Sequence, residues 1–390
     1  MKILQVVPFF SPVHGGSAIA PYYISRELAK RGYEVTIFTS DYKLSREWVQ
    51  SLRQVKVYPF KTRLSWAKFY VTPNIMKHSR EKIKHLDLIH MHNYRSFQNI
   101  IVHHYAKKYG VPYVLQAHGS LPRIMVKQRL KWIYDVFFGY RLLRDASKVI
   151  ALSQMEAQQY RSMDVPEEKI EVIPNGIDLS EFGDLPPKGS FKKKFSIGDD
   201  EKIVLYLGRI YKLKGIDFLI KAYAHLVKNM KFNDVLLVMV GPDDGYLSEA
   251  GSLVGSLGVS GKVLFTGLLA GSEKVSAFVD SSLVVYPCPV ESFGLVTLEA
   301  AASGKPVIVS NNTPMATIIK KGKFGFSVKY GDIDELAEIM GKMLNNDELL
   351  REMGQKGRKF IFGNCDWSNI VTKLKKVYEE ILSCSSQLGI

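Results

Sequence analysis

The chain alternates short β-rich runs with helical segments, and this alternation restricts its fold more than any other feature. In the first half, KILQVVPFF precedes the helical pattern of SAIAPYYISRELAKRGY, and EVTIFTS and PYVLQAHG are further strand-like runs. The alternation restarts with KIVLYLGR and GIDFLIKAYAHLVKN. Strands that alternate with helices form βαβ units, whose parallel sheet is covered on both faces. With 390 residues, the sequence predicts two α/β domains with a cleft between them.

Between the two halves, FGDLPPKGSFKKKF is rich in proline, glycine and lysine, which predicts a linker. The chain has no apolar run of the 18 or more residues that a membrane helix needs, and the start MKILQVVPFF indicates a strand and not a secretory signal. The cysteines, Cys288, Cys365 and Cys384, are odd in number and lack metal-site spacing. We therefore expect a cytoplasmic protein.

Positive charge is concentrated in the first half of the chain. Residues 1–185 hold 27 Lys and Arg against 16 Asp and Glu, a net +11 of the total +15. Such a surface indicates an anionic partner, namely a membrane surface, a phosphorylated acceptor or nucleic acid. We find no nucleic-acid module and expect no nucleic acid as a partner. A basic surface that only keeps the protein soluble is the alternative.

The stretch PVESFGLVTLEAAASGKP, residues 289–306, places two carboxylates around the start of a predicted helix. Glu291 precedes the helix, which is expected to begin near Phe293-Gly294, and Glu299 lies within its first two turns. Free amides at a helix start bind anions, phosphate above all, and a glycine permits close approach. Carboxylates accept hydrogen bonds from vicinal hydroxyls. The pattern suits a ligand with sugar, phosphate and sugar in a row, while an ordinary exposed helix is the alternative.

Two cations follow the strand-like run KIVLYLGR at the start of the second half. Arg209 comes directly after the run, and Lys214-Gly215 opens the next helix. At the carboxyl end of a strand such a pair could clamp a diphosphate, with a planar fork from Arg209 and a point charge from Lys214. A solvated basic turn explains the same residues equally well.

Two features of the first half carry weaker signals. Gly15-Gly16 lies between a strand and a helix, as in phosphate-binding turns, but GxGxxG is absent and a plain tight turn is the alternative. His118 ends a strand and is expected to face the cleft, although a lone histidine is more often structural. The triplet Asp332-Ile333-Asp334 contains two carboxylates that could bind a metal ion. Because it lies at a predicted helix start, these residues are interpreted as helix-capping, and no metal site is expected.

Residues 124–144, IMVKQRLKWIYDVFFGYRLLR, mix basic and aromatic side chains within one predicted helix. This mixture is typical of a helix at a membrane surface. An amphipathic helix packed on its own domain fits equally well.

Taken together, these motifs resemble the retaining family 4 (group 1) glycosyltransferases, which have the GT-B fold. ESFGLVTLE is similar to their E-x-F-G-x-x-x-x-E signature. The resemblance extends to Gly15-Gly16, His118-Gly119, VIPNGID, GRIYKLKG and a Trp-containing C-terminal helix, so it covers essentially the whole chain. It implies two Rossmann-like domains facing a central cleft. The first, which binds the acceptor, would comprise residues 1–183 plus about 367–390, and the second, which binds the nucleotide-sugar, residues 184–366.

The resemblance also implies roles for individual residues. Arg209 and Lys214 would neutralise the diphosphate, Glu299 would bind the ribose and Glu291 the donor sugar. Amides of Phe293, Gly294 and Leu295 would contact sugar or phosphate, Gly16 would contact the diphosphate, and His118 would lie beside the donor sugar. The catalytic set would be His118, Glu291, Arg209 and Lys214. One departure is SNNTPMATII, where Thr313 and Thr317 replace the usual glycine and glutamate.

The expected activity is a retaining, metal-independent transfer of a hexose-type sugar. The donor would be a UDP- or GDP-linked sugar, which is a co-substrate, and no cofactor is expected. The acceptor would be a lipid-linked glycan or a phospholipid, reached by peripheral association with the inner face of the cell membrane. The alternatives are a nucleotide-sugar epimerase or phosphorylase of the same fold, and a non-catalytic nucleotide-sugar sensor.

Overall fold

The computed structural model describes residues 1–66, 69–123, 128–289, 291 and 293–387. The chain divides into two compact units, Met1–Gly176 with Trp367–Ile390, and Ile177–Asp366. The second unit thus begins at Ile177, whereas the sequence placed the boundary after residue 183. The reason is local, because the N–H of Ile177 donates to the carbonyl of Cys365 at 2.9 Å and Phe182 is buried. In the described residues no helix is both long and apolar enough to cross a bilayer.

Each unit is built on one parallel sheet, as the alternation predicted. In the first unit the strand order is β3-β2-β1-β6-β7-β8-β9, and in the second it is β12-β11-β10-β13-β14-β15. A separate antiparallel pair joins β4 and β5. The strands are β1 Lys2–Val6, β2 Glu34–Ser40, β3 Val55–Phe60, β4 Leu64–Trp66, β5 Phe69–Val71, β6 Leu88–His92, β7 Tyr113–Gln116, β8 Lys148–Ala151, β9 Ile170–Val172, β10 Lys202–Leu207, β11 Val235–Val240, β12 Val263–Gly267, β13 Leu283–Tyr286, β14 Val307–Ser310 and β15 Gly325–Val328.

Helices cover the sheets, and short 3₁₀ turns link several of the elements. The α-helices are α1 Gly16–Lys30, α2 Arg46–Ser51, α3 Ile75–Lys82, α4 Phe97–Tyr109, α5 Gln128–Tyr134, α6 Tyr140–Arg144, α7 Gln154–Arg161, α8 Ser190–Lys194, α9 Ile216–Lys228, α10 Leu247–Ser256, α11 Gly271–Asp280, α12 Leu295–Ala302, α13 Pro314–Gly322, α14 Ile333–Leu344, α15 Asp347–Asn364 and α16 Trp367–Gln387. Asp332 caps α14, because its carboxylate accepts the N–H of Glu335 at 3.0 Å. This contact confirms the cap interpretation.

The central strands are buried throughout because helices lie on both faces of each sheet. All residues of β6, β11 and β13 are buried, and the continuous apolar runs of β11 and β13 are typical of covered parallel strands. In each sheet the direction in which successive strands are added reverses once, between β1 and β6 in the first unit and between β10 and β13 in the second. At such a switch point the loops after the two strands diverge and leave room for a ligand.

The segment predicted as a linker is instead packed into the second unit. Phe182 and Phe191 are each only 1% exposed. The Asp280 carboxylate accepts backbone N–H groups of Gly189, Phe191 and Lys192 at 2.6 to 3.0 Å. Proline, glycine and lysine content therefore predicted neither the helix α8 within this segment nor its burial, which depends on contacts with α11.

The last helix completes the first unit, as the discontinuous-domain prediction requires. The Trp367 ring stacks on Tyr23 of α1 with 5.5 Å between centroids, and Arg31 donates to the Ser368 carbonyl at 2.6 Å. Farther along α16, the Tyr378 hydroxyl lies 2.7 Å from Nδ1 of His90 at the centre of the sheet.

The helix predicted over residues 124–144 is present in part, and residues 124–127 lie outside the described residues. Helices α5 and α6 are joined by a π-helical segment, Asp135–Gly139. A Cβ on Gly139 would lie 2.1 Å from the Tyr94 hydroxyl, so only glycine fits at this crossing. The buried Asp135 carboxylate pairs with Arg95 at 2.7 Å and with Arg123 at 2.8 Å.

The outer side of this helical segment is apolar and exposed. Its large side chains form what we call the aromatic surface, which comprises Trp132, Ile133, Val136, Phe137, Phe138 and Tyr140. Arg95 also donates to the carbonyls of Ser120 and Leu121, so one guanidinium links this segment to the loop after β7.

Candidate active site

Strands β10 and β13 are neighbours, so the loops at their carboxyl ends meet. Lys214 lies in the β10 loop, and Gly215 follows with φ of 71°. A Cβ on Gly215 would lie 2.4 Å from the carbonyl oxygen of Pro287, just after β13. The close packing of these two loops places Lys214 beside residues that follow β13.

Lys214, Tyr286 and Glu291 form one cluster at this edge of the sheet. The Nζ of Lys214 lies 2.7 Å from Oε2 of Glu291 and 3.1 Å from the Tyr286 hydroxyl, which itself donates to Oε2 at 2.7 Å. Both charged side chains are mostly covered, with 15% and 17% exposed. Burial, followed by the adjacent Glu291 carboxylate, raises the pKa of Tyr286, so its hydroxyl keeps its proton. The cluster holds one oriented cation and one oriented carboxylate.

Helix α12 begins immediately after this cluster. Gly294 is its N-cap with φ of 91°, and a Cβ there would lie 2.9 Å from Cγ of Met315. The phenyl ring of Phe293 is buried, so only the backbone of Phe293 and Gly294 is available to a ligand. Leu295 is the first helical residue, and the free amides here carry partial positive charge. The expected helix start is confirmed to within two residues.

Glu299 lies farther along α12 and is paired with a lysine that the sequence reasoning missed. The Nζ of Lys274, on α11, lies 3.1 Å from Oε1 of Glu299 and 3.2 Å from Oε2 of Glu181. Burial raises the pKa of Glu299, and Lys274 opposes that rise. Burial lowers the pKa of Lys274, but the attraction of Glu299 and Glu181 exceeds it and the net pKa is raised. No motif marks Lys274, because its partners are distant in sequence.

Arg209 lies outside the Lys214 cluster in its described contacts. It pairs with Asp244, in the loop after β11, at 2.6 Å, and its side chain is 55% exposed. An exposed Arg–Asp pair is weak in water, so Asp244 can give way to a stronger anion. The second unit thus contains all of Arg209, Lys214, Glu291, Phe293, Gly294, Leu295 and Glu299.

Gly16 and His118 belong to the first unit. Gly15, with φ of 70°, caps α1, and Gly16 is the first helical residue. Gly15-Gly16 therefore lies at the start of a helix, as expected, which fits both a phosphate-binding turn and a plain tight turn. Its role in binding a diphosphate stays a prediction.

His118 is buried and lies at the end of a chain of hydrogen bonds. Its Nε2 lies 2.9 Å from Nδ1 of His92, and Nε2 of His92 lies 2.6 Å from Oε1 of Gln5. Because Oε1 only accepts, His92 carries its proton on Nε2, and His118 must donate from Nε2. Burial lowers the pKa of His118 to about 3. The neutral ring therefore keeps a bare Nδ1, which has no hydrogen-bond partner among the described residues.

A buried glutamate holds the backbone next to His118. His118 and Gly119 both have positive φ, 53° and 75°. Glu156, at the start of α7, accepts the N–H of Gly119 at 2.5 Å and that of Leu152 at 2.7 Å. Burial raises the pKa of Glu156 to about 7, although both backbone donors oppose the rise. No local sequence pattern marks this residue, because the contact depends on the loop conformation.

Two further sequence predictions concern metal and the altered loop after β14. The described part of the chain has no group of three or more His, Cys, Asp or Glu that could hold a metal ion. Thr313 precedes α13, and its hydroxyl donates to the Ser310 carbonyl at 2.8 Å. The Thr313 side chain, which stands where the resemblance expects a glycine, thus forms its hydrogen bond within the loop.

The arrangement in the second unit can bind a molecule with adjacent negative charge and hydroxyl groups. Two basic side chains and the free amides of α12 suit phosphates, and two mostly covered carboxylates suit hydroxyls. The same groups can stabilise negative charge that develops on a departing phosphate.

Comparisons with known proteins identify the family. Residues 187–360 match the family described as "Glycosyl transferases group 1", and residues 14–181 match "Glycosyltransferase Family 4". An uncharacterised glycosyltransferase of Methanocaldococcus jannaschii is 29% identical over 97% of this chain and 98% of its own length. A D-inositol 3-phosphate glycosyltransferase of Nocardia farcinica is 26% identical over 96% of this chain and 87% of its own.

The fold comparison agrees with these matches. The crystal structure of Anabaena HepE in complex with UDP and glucose covers 97% of this chain and 100% of its own, with a TM-score of 0.79 and 21% identity. With both sheets and both family matches in place, the chain is a glycosyltransferase of family 4, in group 1, with the GT-B fold.

Proposed function

We propose that this glycosyltransferase transfers a hexose-type sugar from a nucleotide-diphosphate sugar, with retention and without a metal, to a lipid-linked glycan or phospholipid at the cytosolic membrane face. The observation that carries the proposal is the pairing of Lys214 with Glu291 beside the start of α12. One cation, one carboxylate and a set of free amides there match the charges of a phosphate joined to a sugar.

The donor assignment rests on two kinds of support. Glu299 and Glu291 offer carboxylates at separate points along α12 and its preceding loop, which suits the hydroxyls of a ribose and of a transferred sugar. The Anabaena protein of the same fold has been crystallised with UDP and glucose. The contacts of Gly16 with the diphosphate and of His118 with the donor sugar stay predictions.

In the proposed reaction, the bond from the anomeric carbon to the diphosphate oxygen breaks and its electron pair stays with the phosphate. Lys214, Arg209 and the α12 amides stabilise the charge that results. The acceptor hydroxyl attacks from the same face and forms the new glycosidic bond. Its proton passes to the leaving phosphate oxygen, so no protein nucleophile is needed and Glu291 positions the sugar.

Support for a membrane acceptor comes from the first unit. The aromatic surface exposes six large side chains, and residues 95–148 hold ten Lys and Arg against two Asp. A surface that combines aromatic rings with positive charge is typical of binding at an anionic bilayer. The soluble phosphorylated acceptor named for the Nocardia relative is the competing possibility for the same charge.

The test is a nucleotide-release assay. The protein is incubated with a panel of UDP-, GDP- and ADP-sugars and a lipid extract, without added metal, and the freed nucleotide is measured. Release from one donor that requires lipid and is lost in Glu299→Ala would support the proposal. Glu352→Ala, which removes an exposed ion pair on α15, is the matched control and should keep activity. Donor binding without release under any condition would favour a nucleotide-sugar sensor.

A further inference from the structure

A groove lies between α4 and the π–α6 segment in the first unit, beside the aromatic surface. Its volume is about 550 Å³, within the range of small-molecule sites. We call it the basic groove, and it is lined by His104, Lys107, Lys108, Phe137, Phe138 and Arg141. Basic side chains from two helices and two phenyl rings thus share one concave surface.

The single carboxylate in the groove, Asp145, is already neutralised. It lies 3.1 Å from Nε2 of His103, 3.0 Å from Nζ of Lys107 and 3.1 Å from Nε of Arg144. Burial alone would raise the pKa of Asp145, but the hydrogen bonds from Lys107, Arg144 and His103 lower it to about 2. Asp145 therefore stays charged and remains committed to these three donors.

Two cations of the groove are left for a ligand. Within the described ranges, neither Lys108 nor Arg141 makes an ion pair with a carboxylate, and both are exposed. An Arg and a Lys on facing helices can bind a phosphate group from two sides. The observed contacts therefore favour an anion, and phosphate chemistry in particular.

The two phenyl rings limit what kind of phosphate can bind. Phe137 is 61% exposed and Phe138 43%, and both continue the aromatic surface. Exposed rings next to cations are costly in water but favourable at a bilayer interface, where rings enter the headgroup region and cations meet lipid phosphates. A free phosphate in solution would leave these rings exposed.

The groove also lies away from the residues expected to act on the sugar. Lys107 and Asp145 are close to the starts of β7 and β8, whereas His118 follows the end of β7. Because parallel strands start at one edge of a sheet and end at the other, the groove and His118 are at opposite edges. A lipid in the groove is thus an anchor and not the acceptor.

We propose that the basic groove binds the phosphate headgroup of an anionic membrane lipid, held between Arg141 and Lys108, while Phe137 and Phe138 enter the bilayer interface. This inference rests on the membrane location in the proposed function, but not on the donor or the reaction. The basic groove would therefore prefer anionic lipids to zwitterionic ones, because a zwitterionic headgroup would bring its own cation into a basic site.

The test uses the full chain and sedimentation with vesicles of phosphatidylcholine alone or mixed with phosphatidylglycerol, at low salt. Binding should require phosphatidylglycerol. The double variant Lys108→Gln/Arg141→Gln should weaken it by about thirtyfold, since each basic residue near an anionic surface contributes about 1 kcal/mol. The matched control is Arg46→Gln/Arg53→Gln, which removes two exposed cations around α2, beside β3 at one end of the strand order, and should weaken binding by less than about threefold.

Three results would overturn the inference. Equal losses in both double variants would show only diffuse attraction between charges. Binding of inorganic phosphate by calorimetry, lost in Lys108→Gln/Arg141→Gln and undiminished in Phe137→Ser, would assign the groove to a soluble anion. Equal binding to phosphatidylcholine alone would remove the headgroup preference. Nucleotide-sugar binding, measured on the same variants, should be unchanged, so failure of the donor assignment is seen separately.

Discussion

Lys214 and Glu291 come from loops after different strands, yet their charged atoms lie 2.7 Å apart. A mostly covered ion pair is costly to break by removing one partner, because the other is left without compensation. Glu291 thus holds the ammonium group in one orientation. In the proposed function, a donor diphosphate competes for this ammonium group and a sugar hydroxyl donates to the Glu291 carboxylate.

The first prediction concerns Glu291. We expect Glu291→Gln to lower kcat by about a hundredfold or more, because the sugar loses a charged acceptor and Lys214 loses its orientation. The dissociation constant of the nucleotide-sugar, measured by calorimetry, should change less than about tenfold. Tyr286→Phe removes only the neighbouring hydroxyl donor and should cost less than Glu291→Gln. Near-normal turnover in Glu291→Gln would contradict the assignment.

A second prediction tests the turn that carries Lys214. Gly215→Ala should lower the free energy of unfolding by about 1–3 kcal/mol, because its Cβ would lie 2.4 Å from the Pro287 carbonyl at a positive φ. Gly251→Ala is the matched control, since Gly251 is helical with no atom within 4 Å of the new Cβ. It should raise stability by about 0.5–1 kcal/mol. Denaturant titration measures both, and similar effects would refute the packing argument.

A third prediction concerns the lysine that neutralises Glu299. Removing the cation in Lys274→Met should raise the pKa of Glu299 further, because Lys274 is the group that opposes burial there. As the solution is acidified, Glu299 of the variant should therefore take up its proton at a higher pH than in the unaltered protein. The affinity for the nucleotide should begin to fall at that higher pH. Calorimetric titrations at several pH values measure this, with Lys356→Met as an exposed control. If the pH dependence of nucleotide affinity were unchanged in Lys274→Met, Lys274 would not control the ionisation of Glu299.

The hydrogen-bond chain to His118 gives a fourth prediction. Proton–nitrogen correlation spectra of labelled histidines should show His118 protonated on Nε2 and bare on Nδ1 throughout the neutral range, as Gln5 and His92 require. In His92→Phe the donor at Nε2 loses its acceptor, and both tautomers should appear. His103→Phe, on α4, is the control and should leave the His118 signals unchanged. A His118 ring that becomes charged near neutral pH would contradict the burial argument.

Glu156 gives a prediction for the pH dependence of stability. Its pKa is raised from 4.5 to about 7 in the folded protein, so the unfolded chain releases this proton first as pH rises. The corresponding stabilisation is fully present below about pH 4.5 and is lost as pH rises through about 7. In the unaltered protein we expect the free energy of unfolding to fall by up to about 3 kcal/mol over this pH range. Glu156→Gln should lack this contribution, so its free energy of unfolding should fall less with pH. Identical slopes for the two proteins in urea titrations would be the contrary result.

Features that depend on local pattern could be predicted from the sequence. Both parallel sheets follow from the alternation of strands and helices, and the helix start at Gly294 and the Asp332 cap follow from residues within a few positions. The candidate residues of the second unit were found for the same reason, because ESFGLVTLE is continuous in the chain.

Features that depend on distant contacts could not be predicted. Lys274, Tyr286 and Glu156 each act through a partner brought close by folding, and single residues of these types carry no local signal. The linker prediction was wrong for a related reason. Proline and glycine content predicts an irregular segment, but Phe191 lies in α8 and is buried, because Asp280, 89 positions away, holds the start of α8 against α11.

The chain passes between the two units at two places, after Gly176 and after Asp366, and this has a practical consequence for expressing the units separately. Because the chain leaves the first unit after Gly176 and returns to it at Trp367, the second unit is one uninterrupted stretch of chain that can be expressed as a single fragment, residues 177–366. The first unit has no such single fragment. A truncation at residue 176 removes Trp367 and Tyr378, uncovers the apolar face of α1 and leaves His90 without its tyrosine. Separate study of the first unit therefore calls for a short peptide bridge from residue 176 to 367.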